Sequence, residues 1–181
     1  LHVWLPDAHS SAPTPSSAIL SGLVIKAFAL VIARIIFQVF GVELFSHLPI
    51  PEVILLMATL GTLAGSLLAI GQRDIKRMLA YSSVAQVSYI FLGLALITKN
   101  GVMGGMLHVF NLAVMKTMLF LAAGAMIDKT GISKIEDLSG IGYKMPLTMA
   151  VFSVGALSMV GIPGFSGFIS KYYLAFGALD A

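Results

Sequence analysis

The sequence predicts an all-α fold: a polytopic transmembrane helix bundle of about five spans, the last broken at Gly161–Gly167. Three observations predict it. The 181 residues are 58% hydrophobic and only 10% charged, with mean hydropathy +0.97, whereas soluble domains carry about 25% charged residues. The apolar residues gather in stretches of about 20 or more, the length a helix needs to cross roughly 30 Å of hydrocarbon. These stretches lack the ~10-residue alternating pattern of membrane β-strands.

Composition also excludes functions. There is no cysteine, so disulfides, cysteine-held iron–sulfur clusters and cysteine zinc sites are ruled out. A net charge of +3, scattered over loops, gives no reason to expect nucleic acid as a partner. No cofactor and no metal site are expected. The chain starts with Leu rather than Met, and LHVWLPDAH has neither the basic region nor the cleavage site of a signal peptide. The chain therefore reads as a fragment of a longer polytopic protein.

Residues 1–15 hold three prolines, with Trp4 suited to a membrane–water interface. Thr14 and Ser16–Ser17 are candidate caps for the next helix, with Pro15 in its first turn. Apolar spans follow over about 16–41, 52–71, 78–98 and 101–127, and a fifth begins near 146. Gly61–Gly65 and Gly101–Gly105 are GxxxG spacings for close helix approach. Ser82, Gln86 and Tyr89 form a polar stripe expected to face the bundle. In the fifth span, GIPGFSG interrupts the helix. Irregular backbone at membrane depth is tolerated only when buried in protein or lining a water-filled cavity. The loops 72–77 and 128–145 carry Arg73, Lys76, Arg77, Lys129, Lys134 and Lys144. Lys99 lies opposite, with Arg34 toward the same end of its span. The positive-inside rule makes the two loops cytoplasmic in a bacterial inner (plasma) membrane.

Three lysines carry the functional reading: Lys26, Lys116 and Lys171. Each stands in an apolar run with no acidic residue near it in sequence. A lysine at the centre of a membrane helix costs about 2.5–3.5 kcal/mol on insertion scales, so each is a candidate site. A desolvated lysine also gives up its proton readily. Lys26 lies about 15 Å into its span, with Ser21 and Gly22 leaving room beside it for water or a partner helix. The plainer alternative is a structural pair with an acid on another helix. Lys116 lies mid-span, with Asn111 and Thr117 nearby and His108 two turns earlier. His108 is suited to proton exchange near neutral pH, or is a satisfied core residue. Position i+4 from it is Leu112, and His2, His9 and His47 fall in predicted loops, so no paired metal or haem spacing arises. Lys171 follows the helix break, or snorkels at a surface loop. Asp7 and His9 are candidates for a cytoplasmic-side uptake network, or are turn and capping residues. Asp74 pairs with its basic neighbours or caps the next helix. No phosphate loop, nucleophile triad or dinucleotide fingerprint is present.

The ordered stretches LHVWLPDAHSSAPTPSSAILSGLVIKAFAL, RDIKRMLAYSSVAQVSYIFLGLAL, HVFNLAVMKTMLFLAAGAMI and GIPGFSGFISKYYL resemble the antiporter-like subunit family. It comprises the proton-pumping subunits of respiratory complex I, Mrp-type antiporter subunits and membrane-bound hydrogenase subunits. Within it, GYKMPLTMAVFSVGALSMVGIPGFSGFISKYYL looks most like the Mrp-type and hydrogenase branch. The resemblance implies about fourteen helices in two inverted repeats, each with a broken helix. It assigns residues 1–15 to the end of the first broken helix and its loop, 16–127 to four spans, 128–145 to a cytoplasmic loop, and 146–181 to the second broken helix. It gives Lys26 the role of bridging lysine, Lys116 that of central lysine and Lys171 that of terminal lysine. His108 matches a relay histidine, and the second histidine of some members is Leu112 here. The family's first-half glutamate and lysine fall outside the chain. The resulting expectation is a subunit moving protons, or Na+, along buried lysines, partnered by other membrane subunits and lipid. The alternative is a scaffold or quinone-handling subunit of a redox complex, with Tyr81, Tyr89 and His108 as hydrogen-bond donors. Neither reading gives the chain redox chemistry of its own.

Overall fold

The computed structural model describes residues 4–181; His2 lies outside them. Every regular element described is helical: α1 (Leu5–Ser11), α2 (Thr14–Ile19), α3 (Ile25–Arg34), α4 (Val42–His47), α5 (Ile50–Ile70), α6 (Ile75–Ala95), α7 (Lys99–Thr130), α8 (Ile141–Lys144), α9 (Pro146–Val160) and α10 (Ser166–Leu179). Four stretches are long and apolar enough to cross a membrane: Thr14–Phe40, Ile50–Ile70, Ile75–Ala95 and Lys99–Thr130.

The first span is composite. The hydrogen-bond ladder widens into π turns at Leu20–Val24 and again at Ile35–Phe40, on either side of α3. Thr14 is not a cap here. The helix begins after Pro13 with no side-chain cap bond, and Ser17 Oγ instead donates to the His9 carbonyl at 3.1 Å. His9 and His47, expected in loops, lie in α1 and α4.

α6 starts at Ile75, a few residues before the expected span. Asp74 is its cap, accepting from the Arg77 backbone N–H at 3.0 Å, which settles between the two roles expected for it. α7 is longer than predicted: 32 residues without interruption, about 48 Å at 1.5 Å per residue. Thr98 caps it by accepting from Gly101 N. α7 is the axis of the bundle, with α6, α9, α10, α2 and the first π turn packed around it. α5 leans on α6 alone among the long helices and turns most of its apolar side chains outward.

The predicted break is real but shorter than Gly161–Gly167. α9 stops at Val160 and α10 starts at Ser166. Gly161, at φ 89°, adopts the left-handed conformation that closes α9. Gly167 already belongs to α10 and serves packing instead: a Cβ there would stand 1.8 Å from the Ser158 carbonyl oxygen.

Polar contacts at the two ends of the bundle show which loops share a side. The strand-like bridge Asp74–Lys134 and the bond from Ile135 N to Arg73 O join the loop before α6 to the loop after α7. At the other end, Thr98 Oγ1 donates to the Gly177 carbonyl at 3.0 Å and Asn100 Nδ2 to Asp180 at 2.6 Å. The glycines of the expected GxxxG pairs sit at helix crossings, Gly61 and Gly65 against α6, and Gly101 and Gly105 against Gly93 and Ile90.

The tightest crossing joins α10 to the start of α7, where a Cβ on Gly177 would lie 2.2 Å from Gly101 N. Gly177→Ala must push backbone apart and should destabilise the bundle by about 1–3 kcal/mol. Gly142→Ala, whose nearest neighbour would be a Met149 side-chain carbon at 3.7 Å, should not. Thermal unfolding of the two variants in detergent checks this.

Candidate functional site

Lys26 lies one residue into α3, directly after the π turn. It is 3% exposed, and its ammonium donates to the Ser21 carbonyl inside that turn. Widening a helix by one residue per turn loosens its carbonyls, and such turns recur at functional sites. Gly22 lets α7 come close, since a Cβ there would meet Thr117 Oγ1 at 2.1 Å. Of the two occupants expected beside Lys26, water or a partner helix, the space at Gly22 holds the helix.

Lys116 is 0% exposed, among the largest fully buried side chains described. Its Nζ donates to the Leu79 carbonyl at 3.0 Å and to Ser82 Oγ at 2.6 Å. Among the described residues the only ion pairs are Arg73–Glu136 and Arg77–Asp7, so no acid among them holds Lys26 or Lys116. Both amines meet only neutral oxygens.

Hydroxyls tie the two together. Ser21, whose carbonyl takes Lys26, shares a 3.0 Å bond between its hydroxyl and Ser83 Oγ. Ser83 Oγ reaches the Leu79 carbonyl at 2.9 Å, the same oxygen that accepts from Lys116. Ser82 Oγ donates to that oxygen too, at 2.9 Å. One turn of α6 thus stands between the two lysines. Sequence reasoning found Ser82 from its helical stripe but missed Ser21 and Ser83 as connectors. Their signal was small polar residues on the faces of adjacent spans.

Further along α6, Gln86 is buried with Oε1 unpartnered. Tyr89 meets His108 edge-on at 5.9 Å between ring centroids. His108 is fully buried; Nδ1 pairs with Ser170 Oγ of α10 at 2.9 Å, while Nε2 has no partner. Each such orphan costs about 1–3 kcal/mol. The polar stripe faces the bundle as predicted, and Gln86 Oε1 and His108 Nε2 remain open to a ligand there. Asn111 and Thr117 do not join it: Asn111 Nδ2 donates to Ser166 O, and Thr117 Oγ1 to Ala113 O of its own helix.

Lys171 is half-buried in α10, where its Nζ donates to the last carbonyls of α9, Met159 at 2.7 Å and Val160 at 3.1 Å. These carbonyls lost their helical partners at the break and form the negative end of the helix dipole. The ammonium also stands 5.4 Å from the Tyr89 ring centroid, a favourable cation–π distance. Lys171 therefore joins α9, α10 and α6 rather than snorkelling from a loop.

Asp7 is exposed and pairs with Arg77. His9 is 0% exposed, and neither ring nitrogen has a partner. Burial, and then the charges of Lys116 and Lys26, push its imidazole down to about 4. Two surface hollows, one lined by Val102, Met106 and Phe110 and one by Met78, Met126 and Met149, do not include Tyr81, Tyr89 or His108.

Over its whole length, residues 1–181, the chain matches the family model described as NADH:quinone oxidoreductase/Mrp antiporter, TM. NADH-quinone oxidoreductase subunit N of Desulforudis audaxviator is 46% identical, the match covering 100% of this chain and 36% of that protein. NAD(P)H-quinone oxidoreductase chain 4 1 of Synechococcus elongatus is 32% identical, covering 100% and 33%. Among solved structures, the Mrp complex from Dietzia sp. DQ12-45-1b superposes with TM-score 0.90 at 32% identity, over 98% of this chain and 32% of that one. The membrane-bound sulfane sulfur reductase, an archaeal respiratory membrane complex, gives TM-score 0.87 at 38% identity, over 97% and 36%. The chain spans about a third of the length of these curated relatives.

Removing Lys116 strands no partner, because the Leu79 carbonyl still accepts from Ser82 and Ser83. Lys116→Met should therefore leave the melting temperature unchanged or raise it. Breaking a buried ion pair would instead cost about 3–5 kcal/mol, so a large fall in melting temperature contradicts the assignment.

Proposed function

The chain belongs to the NADH:quinone oxidoreductase/Mrp antiporter transmembrane family, and on that premise we propose that it carries protons through the membrane along Lys26, Lys116, His108 and Lys171. The observation that carries this reading is the pair of buried amines, Lys26 and Lys116, bonded only to neutral oxygens and linked through Ser21, Ser83 and the Leu79 carbonyl. A lysine paired with a carboxylate is held charged. One resting on carbonyls and hydroxyls is free to change charge when a neighbour loads or unloads.

Hydroxyls both donate and accept, so Ser21, Ser82 and Ser83 can hand protons on. Carbonyl oxygens only accept, and passage across them requires a bridging water. The orphan atoms Gln86 Oε1 and His108 Nε2 are suitable partners for water between Lys116 and His108. From His108 the route continues through Ser170 to Lys171 beside the helix break. The proton, rather than Na+, is favoured because the buried polar groups described are amines, imidazoles, hydroxyls and an amide, without a carboxylate. A hard cation held beside two amines would need charged oxygen ligands among its shell, and hydroxyls and carbonyls alone carry no negative charge.

In this reading residues 1–15 end a first broken helix, 16–127 form four spans, 128–145 is a cytoplasmic loop and 146–181 is the second broken helix of one proton-conducting domain. The protein sits in the inner (plasma) membrane among other membrane subunits of a respiratory or antiporter complex, with loops 72–77 and 128–145 inside. The scaffold or quinone-handling alternative gives the buried lysines no purpose.

Lys116→Met in the full-length protein should abolish proton transport by the complex while assembly, followed by native gel, remains normal. Undiminished transport contradicts the reading. Lys116→Arg should not restore it, because a guanidinium stays charged.

A further inference from the structure

One buried titratable side chain has no part in this route. His9 lies in α1, which packs on α6 and is fixed there at several points. Asp7 pairs with Arg77, Lys76 Nζ donates to the Ala12 carbonyl at 3.3 Å, and Ser17 Oγ donates to the His9 carbonyl. The imidazole is stacked on Phe120, centroids 4.7 Å apart and planes at 24°. Phe120 is one helical turn from Lys116 on α7, and the ring lies near enough for the charge of that buried amine to act on it. Its two nitrogens both lack a partner. A purely structural stacking residue would avoid that cost by being Phe or Leu, and buried polar atoms left open in a native fold call for a ligand such as water.

Two residues earlier on the same helix, Asp7 is exposed. α1 thus runs from an exposed carboxylate to a buried imidazole. The charges that act on His9 are Lys116 from α7 and Lys26 from α3; Asp7 on its own helix, and Lys76 and Arg77 from α6, meet at the outer side of α1.

We propose that His9 is the uptake residue of the route, passing protons from the Asp7–Arg77 end of the bundle to Lys116 and Lys26. The neutral ring accepts on its bare nitrogen a proton relayed by water from the Asp7–Arg77 end, the water being reprotonated from that side. The resulting imidazolium releases the proton of its other nitrogen, through water, to a neutral lysine amine, which becomes an ammonium. The ring is left as the opposite tautomer and returns by rotation or exchange. The low proton affinity that burial and the two lysines impose means that the imidazolium is passed through, not stored. This assignment rests on the lysine route and adds its loading end.

The test uses the full-length protein assembled in its complex and reconstituted into vesicles, with proton flux read by an internal pH dye. His9→Ala should slow transport by about tenfold or more, within the range for loss of a positioned proton-transfer group. Added imidazole should restore flux, whereas pyrazole, equal in size but too weak a base, should not. His9→Gln should be slow with assembly intact. Wild-type flux in both variants overturns the proposal, as does equal rescue by imidazole and pyrazole, which would mark a packing role. If Lys116→Met is inactive while His9→Ala runs at the wild-type rate, the lysine route stands and the uptake assignment falls. If Lys116→Met transports normally, the lysine route itself falls.

Discussion

An ammonium ion inside a membrane protein must find an anion, give up its proton or line a path for water, because desolvation costs several kcal/mol even after relaxation. Lys116 is where this constraint presses hardest. It is fully buried at the middle of the longest helix, and its neighbours offer a carbonyl and a hydroxyl. Neither compensates a full positive charge as a carboxylate would. Everything packed around α7 has to accommodate that unpaired amine.

α6 does most of the accommodating. Its sequence mixes small and polar residues, so that Ser82, Ser83, Gln86 and Tyr89 meet the neighbouring helices while glycine-lined crossings keep those helices close. The broken helix answers the same problem for Lys171. Breaking α9 at Gly161 frees two carbonyls, and these accept the ammonium. The π turn before Lys26 does so for the first span, where the Ser21 carbonyl accepts that lysine. Each lysine is thus met by backbone whose helical ladder has been opened or shared. That common device links three residues far apart in sequence.

Much of this was legible beforehand. The long spans, the break and the three lysines follow from hydropathy, glycine and proline placement, and the rarity of charge in apolar runs. The stripe on α6 follows from helical spacing. What was hidden has physical reasons. Helix ends shifted because capping by Asp74 and Thr98 depends on side-chain geometry, which composition does not report. The π turn in LSGLV has no sequence signature. The serine links between spans need tertiary contact, since Ser21 and Ser83 lie 62 residues apart. His9 read as a loop residue because its neighbours are prolines and small polar residues. Tertiary packing buries it, with α1 laid on α6 and the ring stacked on Phe120.

The central claim is that buried lysines change charge during turnover. Infrared difference spectroscopy on the intact complex with isotopically labelled lysine reads this directly. The account predicts lysine ammonium bands that rise and fall with turnover, one of which disappears in Lys116→Met. Turnover and proton flux proceeding with no change in any lysine band would contradict it.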